Sequence, residues 1–309
     1  MSPTISLGVS LPGRVNELAV VFVSIVLQSL PFVLLGVFAS ALVQRYLSAE
    51  RLARWLPHGR LPLVLLASGF GFVAPVCDCG VIPLARRLAA KGLPIYAATT
   101  FILAAPVVNP VVLTSTAVAF QGDWRIVALR MAMSLSVAIT VGLLASKLMP
   151  EASMLSVPAP ARPARSPAAA RSSGVLASII EHAVSEYFDI ALFIVLGALF
   201  TAVTQTFVPR GDLAALGGSR IGSVATLMPV ATLLSICSEA DAFVARAFAA
   251  TFTTGALLAF MTIGQIVDLR NGVLLFRTLP GRLVALSVVV AYGLIFIESL
   301  AVNRILFGP

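Results

Sequence analysis

The chain of 309 residues is 59% hydrophobic and 11% charged, with mean hydropathy +1.01 and formal net charge +8. A soluble domain carries about 25% charged residues, so the composition excludes a soluble globular protein and defines a polytopic membrane protein. Its basic residues lie mostly between apolar runs, as the positive-inside rule expects, and are not read as a nucleic-acid surface. Three cysteines are too few for a disulfide framework.

In chain order, Leu18 to Val43 is too long for a signal-peptide core and reads as a span, with a tolerated kink or a pore-facing group at Gln28, Ser29 and Pro31. Gln44 to Arg60 carries Arg45, Arg51, Arg54 and Arg60 and reads as a cytoplasmic loop. Its Leu52, Trp55 and Leu56 give it an interfacial helix. Leu61 to Lys91 is apolar but broken by Pro75-Val76-Cys77-Asp78-Cys79-Gly80-Val81-Ile82-Pro83-Leu84. Leu93 to Phe120 is broken at Ala105-Pro106-Val107-Val108-Asn109-Pro110. Ile126 to Met149 reads as a clean span, preceded by Trp124 at the interface.

Pro150 to Gly174 is rich in Pro, Ala, Arg and Ser and reads as a disordered cationic linker. Val175 to Phe207 begins amphipathic and becomes a span. Ser223 to Ala250 is broken at Ser235-Ile236-Cys237-Ser238-Glu239-Ala240-Asp241-Ala242-Phe243. Thr251 to Phe276 is interrupted at Gly264–Asn271, Arg277 to Arg282 is a basic loop, and Leu283 to Val302 is the last span.

The two halves thus match in order, with Cys77 and Cys237 in equivalent places. The predicted domains are a first transmembrane repeat (1–149), the linker (150–174) and a second repeat (175–309). If the cysteine segments crossed fully, one basic loop would lie on the wrong side. If they dip in and return, all the basic loops can be cytoplasmic. The predicted fold is therefore an all-α polytopic membrane protein of two inverted repeats. Each repeat has three transmembrane helices and a broken re-entrant helical hairpin, with the hairpin tips meeting near the midplane.

Ionisable and soft groups at membrane depth mark function by default. Half-helices starting near Gly80 and Glu239 would point their positive ends at one site and lower the pKa of nearby thiols. Cys77, Cys79 and Cys237 are candidate soft ligands for Cu(I) or another thiophilic species; the alternative is cysteine as a small buried hydrophobe. A structural zinc site is disfavoured because no histidine lies near. Asp78, Glu239 and Asp241 are candidates for proton coupling or cation binding. Alternatively Asp78 and Ser238 cap the half-helices, and Arg246 pairs with Glu239 or Asp241 within its own helix. Asn109 and Gln265 could offer amides to the cavity, and Asp268 could pair with Arg270. No cofactor and no Walker A sequence is found.

At these residues the chain resembles the YraQ-type membrane permease family, which includes the ArsP-type organoarsenical efflux permeases. The likeness rests on the Pro75–Leu84 segment, on Leu103-Ala104-Ala105-Pro106-Val107-Val108-Asn109-Pro110, and on Ser235–Val244. Gly264–Asn271 is similar to the family's Gly-Pro-x-x-Asp-x-Lys-Asn element, with Gln265 for the proline and Arg270 for the lysine. Where the family often has serine between the two cysteines this chain has Asp78, whose charge favours a soft cation or neutral metalloid over an anion. The resemblance implies transport.

The expected function is a non-enzymatic secondary transporter in the inner cell membrane. It would move a small solute, with a thiophilic metal or metalloid such as a trivalent organoarsenical as the candidate, by alternating access around a midplane site. The alternatives are a thiol oxidoreductase using Cys77 and Cys79, and a channel with two re-entrant hairpins. The expected partners are the solute and the lipid bilayer, not nucleic acid, and a homo-oligomer is compatible with the sequence.

Overall fold

The computed structural model describes residues 15–27, 59–72, 78–149, 195–203 and 219–305, with a few isolated positions between. The 150–174 linker, the 44–53 loop and Cys77 lie outside the described residues, as do the side chains of Asp78, Cys79 and Arg270. All the regular structure described is helical.

The first half holds α1 (Val15–Leu27), α2 (Arg60–Gly69, continued as a 3-10 turn over Phe70–Phe72), α3 (Asp78–Ala90), α4 (Ile95–Val108), α5 (Pro110–Ala119) and α6 (Trp124–Leu148). The second holds α7 (195–203), α8 (Arg220–Leu234), α9 (Asp241–Ala247), α10 (Thr254–Ile266), α11 (Leu269–Thr278) and α12 (Gly281–Ile305). The stretches Ile95–Ala119, Trp124–Leu148 and Gly281–Ile305 are long and apolar enough to cross a membrane. Their outer faces stay apolar, with Val118 69%, Val289 70% and Ile297 64% exposed, as a lipid-facing perimeter requires.

The breaks have local causes. Asn109 precedes a proline, which disfavours helical backbone, and it is extended at ψ 129°. Its side chain then accepts from the Val111 amide at 2.9 Å, capping α5, with Pro110 at the first helical position. In the second half Ser235 ends α8 in the left-handed region, at φ 46°. Its hydroxyl accepts from the Leu269 amide at 3.1 Å, so the end of α8 holds the start of α11.

The first half's packing pairs recur in the second. Helix α2 packs on α4 and α6, as α8 does on α10 and α12, and α4 packs on α6 as α10 does on α12. The two short half-helices cross over: α3 packs on α11, and α9 packs on α5. Helices α4 and α10 meet at the centre, and α6 meets α12. Within each half, where α10 meets α12 and α6 meets α4, close approach uses small residues. A side chain at Gly255 would meet the Ser299 carbonyl, and one at Gly142 would meet Thr100.

Two expectations are corrected. Helix α9 begins at Asp241, not Glu239, and its cap residue Ala240 makes no side-chain cap bond, so Ser238 is not an N-cap. The Ile126–Met149 span is not clean, because its seventh helical residue is the fully buried Arg130.

Candidate functional site

Arg130 organises the interior. It lies on α6, 0% exposed, and reaches into the junction of α5, α9 and α10. Its Nη2 donates to both oxygens of Asp241, at 2.9 and 2.8 Å, and to the Ser238 carbonyl at 3.4 Å. Its Nη1 donates to Thr116 Oγ1 at 2.6 Å and faces the Met261 sulfur at 3.8 Å. A charge buried this deeply is tolerable only when paired and hydrogen-bonded. Asp241, the first residue of α9, supplies the opposite charge, with a side chain 4% exposed. Asp241 also accepts from Gln265 Nε2 at 2.5 Å, near the end of α10.

Asp241 therefore pairs across the molecule and not with Arg246, as the sequence had suggested. Arg246 is exposed, with its guanidinium 5.9 Å from the Phe120 ring centroid. The positive end of α9 is likewise satisfied from within: the helix has seven residues and already carries Asp241 in its first turn.

The loop between α8 and α9 carries the other candidates. Cys237 Sγ donates to Glu239 Oε2 at 3.0 Å, and the Ser238 hydroxyl lies 3.4 Å from the same oxygen. Glu239 Oε1 is buried and has no hydrogen-bond partner. Asn109 is 0% exposed; its oxygen caps α5 while its nitrogen is without a partner. Gly80 is buried in the first turn of α3. Among the described residues no group of three or more His, Cys, Asp or Glu side chains could hold a metal.

Beside the ion pair lies a cavity of about 280 Å³. Its walls come from α3 (Val81, Ile82), α4 around Pro106, the Gln265–Leu269 break and α12 (Val284, Val288). Most of that wall is apolar; Thr232, Gln265 and Asp268 supply its polar groups. Gln265 thus joins cavity to ion pair. The structure brings together Ser238, Asp241 and Gln265 around Arg130, with Cys237 and Glu239 next to them in the chain.

Arg130 and Glu298 are functional candidates the sequence reading passed over. Glu298 sits inside α12, where its Oε1 accepts from Ser136 on α6 at 2.6 Å and its Oε2 is buried without a partner. The available signal was the rule that any ionisable residue within a span is suspect.

A helical membrane protein whose helices break around a buried ion pair and a cavity has the architecture of a solute permease. The chain matches the model of the family described as "Predicted permease" (ArsP_1) over residues 14–304, and it belongs to that family. It is 34% identical over 287 residues to UPF0718 protein YcgR of Bacillus subtilis, covering 93% of this chain and 97% of that protein. It is 33% identical over 261 residues to a Streptococcus mutans protein described as a candidate subunit of a two-component membrane permease complex, covering 84% and 86% of the two chains. No solved structure matches it.

Proposed function

We propose that this chain is a multi-pass inner-membrane secondary transporter, moving a small solute by alternating access of two inverted repeats around a midplane site. The observation that carries this reading is the crossing of the half-helices. Helix α9 packs on α5 and α3 on α11, so each half's break is completed by the other half, with the Arg130–Asp241 pair and the cavity at the junction. Irregular backbone at membrane depth is tolerated where it is buried in protein or lines such a space. The recurrence of packing pairs between halves supports the repeat, and the re-entrant hairpins account for the short α3 and α9.

In this reading the solute meets Cys77, Asp78, Cys79, Gly80, Asn109, Cys237, Ser238, Glu239, Asp241 and Gln265. Cys77, Cys79 and Cys237 supply soft ligands for a thiophilic metal or metalloid. Glu239, beside the Cys237 thiol, is the favoured coupling carboxylate, since Asp241 is occupied by Arg130. The likeness to the Streptococcus mutans protein points to a second membrane subunit as a partner.

The test is a sensitivity and accumulation panel with Cu(I), Sb(III) and trivalent arsenicals in cells expressing wild type, Cys77→Ser, Cys79→Ser or Cys237→Ser. Altered accumulation of one species in wild type, lost in the thiol variants, is the expected result. If no thiol variant changes any accumulation, the soft-ligand assignment fails.

A further inference from the structure

We infer that Glu298 is a proton-binding site, a carboxyl that holds its proton across the contact between α6 and α12. That contact joins the first half of the chain to the second. Glu298 is the only acidic residue of α12 and lies roughly 10 Å along the axis from its end at Ile305, and α6 contains no acidic residue. An ionised carboxylate inside a span is costly unless it is paired.

The proton follows from the contacts of Ser136. Its Oγ lies 2.7 Å from the Met133 carbonyl and 2.6 Å from Glu298 Oε1, both ordinary O–H···O lengths. A hydroxyl has one proton to give, and a backbone carbonyl can only accept. With Glu298 ionised, Ser136 donates to one of these oxygens and the other short contact has no hydrogen in it. With Glu298 protonated, the carboxyl donates to Ser136, Ser136 donates to Met133, and both contacts are hydrogen bonds. Glu298 Oε2 supports the same state: it is buried without a partner, which costs a neutral C=O far less than an oxygen sharing a carboxylate charge.

Helix α12 packs on α6, α8, α10 and α11. On α6, Arg130 is held by Asp241, while Arg125 and Lys147 are exposed at the helix ends. Arg220, the first residue of α8, is exposed, and α10 has no ionisable residue. Arg270 and Arg277 belong to α11, which is joined to the opposite end of α12, and their side chains lie outside the described residues. On α12 itself Arg282 and Arg304 are exposed and Tyr292 shares a hydrogen bond with Thr232. The Glu298–Ser136 bond crosses from one half to the other, so it is made only while α6 and α12 touch. Under the permease reading, on which this last step rests, parting the halves breaks that bond and lets the carboxyl give its proton to water. The site is separate from Glu239, which lies on the loop between α8 and α9.

The test is infrared difference spectroscopy of the purified full-length protein in lipid near pH 7, subtracting Glu298→Gln from wild type. Glutamine keeps the size and can donate to Ser136 as the protonated acid does, so the fold is retained. The difference should contain a carboxylic-acid C=O band, which a free glutamate side chain, ionised above about pH 4.3, would not give. Ser136→Ala should keep this band and move it to higher frequency, because the carboxyl loses the acceptor of its proton. The inference is overturned if wild type and Glu298→Gln do not differ in the carboxylic-acid region, or if Ser136→Ala leaves the band where it was. In proteoliposomes given Sb(III), wild type should move protons with the solute and Glu298→Gln should lose the proton movement; movement unchanged in Glu298→Gln would overturn the coupling. A wild type that moves neither Sb(III) nor protons would overturn the permease reading for that solute and leave the proton site standing on its band.

Discussion

Replacing Arg130 by methionine should be among the most destabilising single changes in the chain. The substitution removes a side chain that is 0% exposed and donates to Asp241 at 2.9 and 2.8 Å and to Thr116 at 2.6 Å. Asp241 would be left buried with Gln265 as its remaining side-chain donor. Removing one partner of a buried pair costs about 3–5 kcal/mol, because the other charge stays desolvated and uncompensated. Asp241→Leu should cost a similar amount for the same reason. The double variant Arg130→Met/Asp241→Leu leaves no orphan charge, and apolar replacement of a buried pair is often nearly neutral. The two effects should therefore fail to add by more than about 2 kcal/mol. The assay is denaturant unfolding in mixed micelles, followed by helical circular dichroism, for wild type, both single variants and the double. Single variants costing under about 1 kcal/mol, or costs that simply add, would refute the pairing across α6 and α9.

Four further outcomes follow from local geometry. Gly255→Ala would drive a methyl into the Ser299 carbonyl and Asn303 Oδ1, and should cost about 1–3 kcal/mol by the same assay, while Gly293→Ala, with open space around it, should be neutral or slightly stabilising. Asn109→Ala removes the cap on α5 and should cost about 0.5–2 kcal/mol, whereas Asn109→Ser, a neutral capping residue, should retain most of it. Ser235→Val loses the bond to the Leu269 amide and puts a β-branched residue at φ 46°, so Ser235→Gly should be clearly better tolerated in thermal unfolding. Ser136→Ala leaves both Glu298 oxygens without the α6 donor and should lower stability by about 1–3 kcal/mol, an effect that Glu298→Leu in the same chain should largely abolish.

The breaks were legible in the sequence because proline, glycine and Asx residues act locally. Asn109 between Pro106 and Pro110 ends one helix and caps the next, and both effects are set within two residues. The order of the described helices was legible for the same reason. What joins the halves was not. Arg130 looks like a single tolerated charge in a 25-residue apolar helix, and its carboxylate partner lies 111 residues away. Arg246, five residues after Asp241, offered a local partner that the fold instead turns outward. Ser238 had the right side chain for a cap, but its carbonyl is drawn to Arg130 and the helix starts at Asp241. Gln265 was chosen for its amide, yet only the fold shows that amide donating to Asp241 on α9.

The most direct measurement is of membrane sidedness at two matched positions. Arg125 and Arg282 are exposed and are each the second residue of the corresponding long helices α6 and α12. In a background with Cys77, Cys79 and Cys237 replaced by serine, single Arg125→Cys and Arg282→Cys variants would be treated with a membrane-impermeant maleimide. Inverted repeats place Arg125→Cys within reach in intact spheroplasts and Arg282→Cys within reach only after permeabilisation. Labelling of both from the same side would contradict the inverted arrangement on which the proposed transport cycle rests.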